Sequence, residues 1–170
     1  MKVYADQVVV SALWRRHQRP EENVAIRQLK EWSDAGRITL VVSDVHDRER
    51  PLPEQYRGAH DAILAVLPQV EFVDDHRLYG FNTVYSGPGG RGGFITHPLI
   101  EDDPVARRLR EIGLDRLDAH HVMLAIRRKC VVFITCDEAT ILKYRAAVEK
   151  EFPIRLMLPS ELVRDIKSAS

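Results

Sequence analysis

Three short apolar runs constrain this chain more than anything else in it: Lys2–Ala5, Ile38–Ser43 and Val131–Thr135, each separated from the next by helical patterning. ITLVVS and VVFIT are continuously apolar, as strands buried on both faces must be. Pro20, followed by Glu21 and Glu22, predicts a helix start with acids in its first turn. That helix runs to about Ala35 and stops at Gly36. Further helices are expected over Gln7–Arg16, Asp44–Arg50, Glu54–Leu67, Pro104–Ile112, Leu114–Lys129 and Glu138–Lys150, with strands at Gln69–Val73 and Ile154–Leu158 and a tail helix capped by Ser160. Strands alternating with helices predict an α/β fold, a mainly parallel sheet covered on both faces.

A length of 170 residues suits one domain over residues 1–170. The patterning lapses over about 74–100, where YSGPGGRGGF holds five of the nine glycines, so a Gly-rich loop or insertion is expected there. The loop lacks the Gly-Lys-Ser/Thr ending of a phosphate-binding P-loop. Arg91 within it could close over a phosphate backbone, or the loop could be a plain surface loop or partner contact.

Lys plus Arg number 25 and Asp plus Glu number 25, which argues against attachment to nucleic acid by bulk charge alone. Local basic clusters exist at Arg15, Arg16, His17 and Arg19, at Arg107, Arg108 and Arg110, and at Arg127, Arg128 and Lys129. They could neutralise phosphates if they flank an acidic cleft, or simply solvate helix faces. No apolar run approaches the ~20 residues of a membrane span. Cys130 and Cys136 flank the expected strand Val131–Thr135, too far apart to bridge if that stretch is extended, and read as free thiols in a cytoplasmic protein.

In open parallel sheets the chemistry gathers beyond the carboxyl ends of the strands. Asp6 follows the first strand; Asp44, Asp47 and Glu49 follow the second; Cys136, Asp137 and Glu138 follow VVFIT. The helix that feeds VVFIT opens with Asp115 and Asp118. Acids crowded on one edge repel unless a cation sits among them, and Mg²⁺ or Mn²⁺ suits carboxylate and water oxygens. A metal-dependent phosphodiester site is one reading. The other is that the acids cap helices, as Asp44 and Asp115 are placed to do. Asp118 shares an apolar stripe with Val122 and Ala125, so a cap does not account for it. His120 and His121 could carry protons or ligate, or could be packed or surface residues; Trp14 and Trp32 read as core.

At these residues the sequence resembles the PIN-domain nucleases, especially the small toxin ribonucleases of bacterial toxin–antitoxin pairs. VYADQVV keeps the family's Asp after the first strand, and Ser43 with Glu49 has the family's six-residue spacing. Leu117–Ile126, LDAHHVMLAI, followed by FITCD at Phe133–Asp137, matches the family's third and fourth blocks. The resemblance covers roughly residues 1–73 and 102–159. It implies a three-layer α/β/α sandwich with Asp6, Glu49, Asp118 and Asp137 as catalytic and metal-binding acids, Thr135 supporting them, and Mg²⁺ or Mn²⁺ as cofactor. It further implies RNA, single-stranded or structured, as substrate, and a protein antitoxin and a homodimer as partners. Gln7 and Val8 stand where the family usually has Thr-Asn, which leaves open a second function: a non-catalytic PIN-fold module that binds RNA or protein. A haloacid-dehalogenase type site is disfavoured, because Asp6-Gln7-Val8 lacks its second Asp.

Overall fold

A computed structural model describes residues 1–13, 19–43 and 103–169, together with the backbone of 81–83 and 95–98. Its centre is a four-stranded parallel sheet in the order β2-β1-β5-β6, with β1 at Lys2–Ala5, β2 at Thr39–Val41, β5 at Val132–Ile134 and β6 at Arg155–Met157. The helices are α1 (Gln7–Ala12), α2 (Pro20–Asp34), α3 (Pro104–Ile112), α4 (Arg116–Arg127), α5 (Arg145–Glu151) and α6 (Pro159–Ser168). The expected α/β class and parallel sheet are present.

Side-chain alternation along the strands divides the interior in two. Val3, Ala5, Val132 and Ile134 enter one core with Val9, Ile26, Leu29, Trp32 and Leu162 from α1, α2 and α6. Tyr4, Phe133 and Leu156 enter the other with Leu109, Val122, Met123 and Val148 from α3, α4 and α5. Cores on both faces of the sheet make the layering compatible with a three-layer sandwich. Tyr4 and Phe133 stack in the second core, their ring centroids 5.2 Å apart at 9°. Burying side chains of this size contributes about 1.5–3 kcal/mol each.

The register of the two central strands decides the rest. Ala5 lies opposite Ile134, and the Asp6 N–H donates to the Ile134 carbonyl at 3.0 Å, so pairing continues to the first residues past both strands. Asp6 and Thr135 therefore leave the sheet level with each other. By alternation they follow Tyr4 and Phe133, toward the face that carries α4.

Several expectations need correcting in detail. Helix Leu114–Lys129 is shorter, since Asp115 accepts from the N–H groups of Leu117 and Asp118 and so fixes the start at Arg116. Glu138–Lys150 is not one helix. Asp137 Oδ1 accepts the Thr140 N–H and its carbonyl accepts the Leu142 N–H, which holds 138–141 in a turn ahead of a 3-10 turn at Leu142–Tyr144 and then α5. Ser160 does not cap α6, which starts at Pro159; its N–H and hydroxyl instead donate to buried Glu22 of α2 at 3.0 and 2.6 Å. Within the stretch expected to lack periodicity, β3 (Phe81–Thr83) and β4 (Ile95–Pro98) form an antiparallel pair, too short to show a period. Residues 84–94, including the Gly-rich run, and the elements expected over 44–73 lie outside the described residues.

Candidate functional site

Asp6 is 6% exposed at the exit of β1. Its Oδ1 accepts the Gln7 N–H at 2.7 Å, which caps α1. Its Oδ2 accepts the Thr135 hydroxyl at 2.7 Å. Thr135 is fully buried and its Oγ1 in turn accepts the Asp137 N–H at 3.0 Å. One hydroxyl thus ties the acid after β1 to the backbone of the acid after β5. Asp137 is oriented from its far side by the Thr140 N–H at 2.8 Å.

Asp118 comes to the same edge from the first turn of α4. Burial pushes its carboxyl up to about 6, and the negative charges of Asp115, Asp6 and Asp137 push the same way, while the Thr140 side chain acts against them. Its Oδ2 is buried without a hydrogen-bond partner among the described residues. A carboxylate in that position is short of positive charge.

Three of the four expected acids and Thr135 are therefore gathered, from segments at both ends of the chain. Glu49 and Arg91 lie outside the described residues, as do Asp44, Asp47, Trp14, Arg15, Arg16 and His17. Asp6 and Asp115 also cap helices, so for Asp6 the cap and the site coincide.

Two groups of contacts were not evident in the sequence. Tyr4 Oη lies 2.9 Å from Ser43 Oγ and 2.7 Å from His121 Nδ1, inside the protein. His120 and His121 are both buried, which makes them packed residues of α4. Thr140 is the other: it orients Asp137 and acts on Asp118. A small polar residue three positions after an Asp is the one signal that could have marked it.

Cys130 and Cys136 are free thiols, and burial pushes them up to about 11 and about 12. Neither is an activated nucleophile. Of the basic clusters, Arg108 pairs with Glu111 within α3 and with Glu151 of α5, and Arg127 of α4 bonds Asp103 at the N-cap of α3. Among the described residues no helix is long and apolar enough to cross a membrane, and no three His, Cys, Asp or Glu residues form a ready metal cluster. No protein-family model, curated protein or solved structure matches this chain.

Proposed function

We propose that this chain is a metal-dependent endoribonuclease of PIN-like fold that hydrolyses RNA phosphodiester bonds at the carboxylate edge of β1 and β5. The observation that carries the reading is the convergence of Asp6, Asp118 and Asp137, with Asp118 lying in the field of the other two. The donor set is hard oxygen, which suits Mg²⁺ or Mn²⁺. The buried Asp118 Oδ2, without a hydrogen-bond partner among the described residues, fits a cation as its counterpart. The Asp6 oxygens accept the Gln7 N–H and the Thr135 hydroxyl, which fix the carboxylate at the sheet edge. Asp6, Asp118 and Asp137 would hold the ion, with water completing its shell, and Glu49 is the fourth acid the resemblance supplies. Bound there, the ion would neutralise phosphate charge and acidify water at the scissile bond.

The chain's own residues do the rest. Thr135 fixes the Asp6 carboxylate and the Asp137 backbone in one geometry, so neither acid must reorganise when substrate arrives. The turn ending at Thr140 aims the Asp137 side chain. The partly dry setting of Asp118 strengthens its pull on any cation.

A second reading, a non-catalytic RNA- or protein-binding module, draws on one observation: both Asp6 oxygens already have protein partners. Incubating mixed-sequence single-stranded RNA with Mn²⁺ or Mg²⁺ separates the two. Cutting that disappears with EDTA and in Asp118→Asn supports the nuclease. Absence of cutting, together with no effect of Mn²⁺ on the melting temperature, supports the binding module.

A further inference from the structure

Helices α2 and α6 lie side by side over one face of the sheet, where both feed the same core. Their starts are tied together, because the N–H and hydroxyl of Ser160 donate to Glu22. Outside that tie the two helices leave a groove of about 450 Å³. Glu21 and Ser160 line it where the helices start, and Gln28 and Lys167 line it two turns further on. Both helices therefore run the same way along the groove, over about 10 Å at 1.5 Å per residue.

The groove has an apolar knob beside an apolar floor. Val163, in the floor, is nearly buried, whereas Val24 is 69% exposed, the highest value among the large hydrophobic side chains described. A lone exposed valine is ordinary on a protein surface; one that stands beside a concave apolar strip has a hole of matching chemistry within its own reach. The groove is also charged by position. Glu21 is exposed at the starting end, and Arg164 and Lys167 are exposed toward the other. None of the three forms an ion pair among the described residues.

A surface with an acid at one end, cations toward the other and a knob between them is complementary to itself. A two-fold axis across the groove turns a second copy end for end. Val24 of each copy then enters the groove of the other, and Glu21 of each meets Lys167 of the other. Such a contact is isologous and closes at two copies. We propose that the α2–α6 groove is the docking surface for a second copy of this chain, with Val24 as its anchor and Glu21 and Lys167 as its reciprocal charge pair. No ion pair within the protein has to break for it to form, and it stands independently of the nuclease reading.

The test is sedimentation velocity of the full chain from micromolar to sub-millimolar concentration. The proteins are wild type, Val24→Arg, Glu21→Lys and Lys167→Glu, each checked by thermal melting; all three positions are exposed, so folding should be unaffected. The wild type is expected to form a reversible dimer. Val24→Arg should weaken it at least about tenfold, and each charge reversal should do the same by setting like charges against each other. The decisive arm mixes Glu21→Lys with Lys167→Glu. In a mixed dimer both reciprocal pairs again join opposite charges, so mixing should restore association to within about threefold of wild type. A wild type that is monomeric at every concentration overturns the proposal and leaves the groove to a different protein. A dimer that survives Val24→Arg overturns it by placing the interface elsewhere. Two single variants that both lose the dimer and do not regain it on mixing overturn the two-fold pairing.

Discussion

Thr135 Oγ1 lies 2.7 Å from Asp6 Oδ2, a bond between residues 129 positions apart that closes the site across the two central strands. Because the same oxygen accepts the Asp137 N–H, Thr135 serves two acids at once. Thr135→Val keeps the shape and removes the hydroxyl, leaving a buried carboxylate oxygen and an amide short of a partner. It is expected to cost about 1–3 kcal/mol in urea unfolding. Thr135→Ser should recover most of the loss, and recovery by Val would show that only shape matters.

Asp118 makes stability depend on pH in an unusual direction. Its folded carboxyl titrates at about 6, above its ordinary value of 3.8. Between those values the unfolded chain has lost the proton while the folded chain still holds it, so stability falls as pH rises through this window and then levels off. Asp118→Asn should remove this component and stabilise the protein at neutral pH by roughly 1 kcal/mol, the shift being discounted for partial exposure. Denaturant midpoints of both proteins across this range check it. The rise in melting temperature with Mn²⁺ should appear in the wild type as pH passes about 6, and should be much smaller in Asp118→Asn.

Gly113 ends α3 at φ +123°, and a Cβ there would sit 2.6 Å from the Tyr144 ring. Both the backbone and the close ring exclude a side chain. Gly113→Ala is expected to destabilise by about 2 kcal/mol or more, read as a shifted urea midpoint. A neutral result would mean that the backbone relaxes as well as Tyr144; Gly113→Ala combined with Tyr144→Ala separates the ring's share from the backbone's.

Tyr4→Phe tests the buried Tyr4–Ser43–His121 cluster. Losing the hydroxyl leaves His121 Nδ1 and Ser43 Oγ without that partner, at an expected cost of about 1–2 kcal/mol. RNA binding, measured in the same preparation, should not change.

The acids were legible because strand ends are legible: ITLVVS and VVFIT announce buried strands, and the residues after them must lie at the sheet edge. What was not legible depended on register. Nothing in one sequence says that Ala5 faces Ile134, yet that pairing is what sets Thr135 against Asp6. The break in Glu138–Lys150 was hidden because its residues read as an ordinary helix. The reason for the break is a side chain, Asp137, competing with the helical hydrogen bonds of its own first turn. Ser160 was misread in the same way: a local cap looked sufficient, and the actual partner, Glu22, is 138 residues away.

The place of β1 between β2 and β5 has a consequence for the order in which this protein comes into being. Its second neighbour is encoded about 130 residues downstream, which at ordinary rates is roughly 10 seconds of synthesis. Throughout that interval Asp6 has no Thr135 to hold it and Asp118 no Asp137 beside it. On the nuclease reading proposed above, the site cannot be assembled before β5 has been made. Such long-range pairing slows folding, so the site is among the last features of this protein to come together.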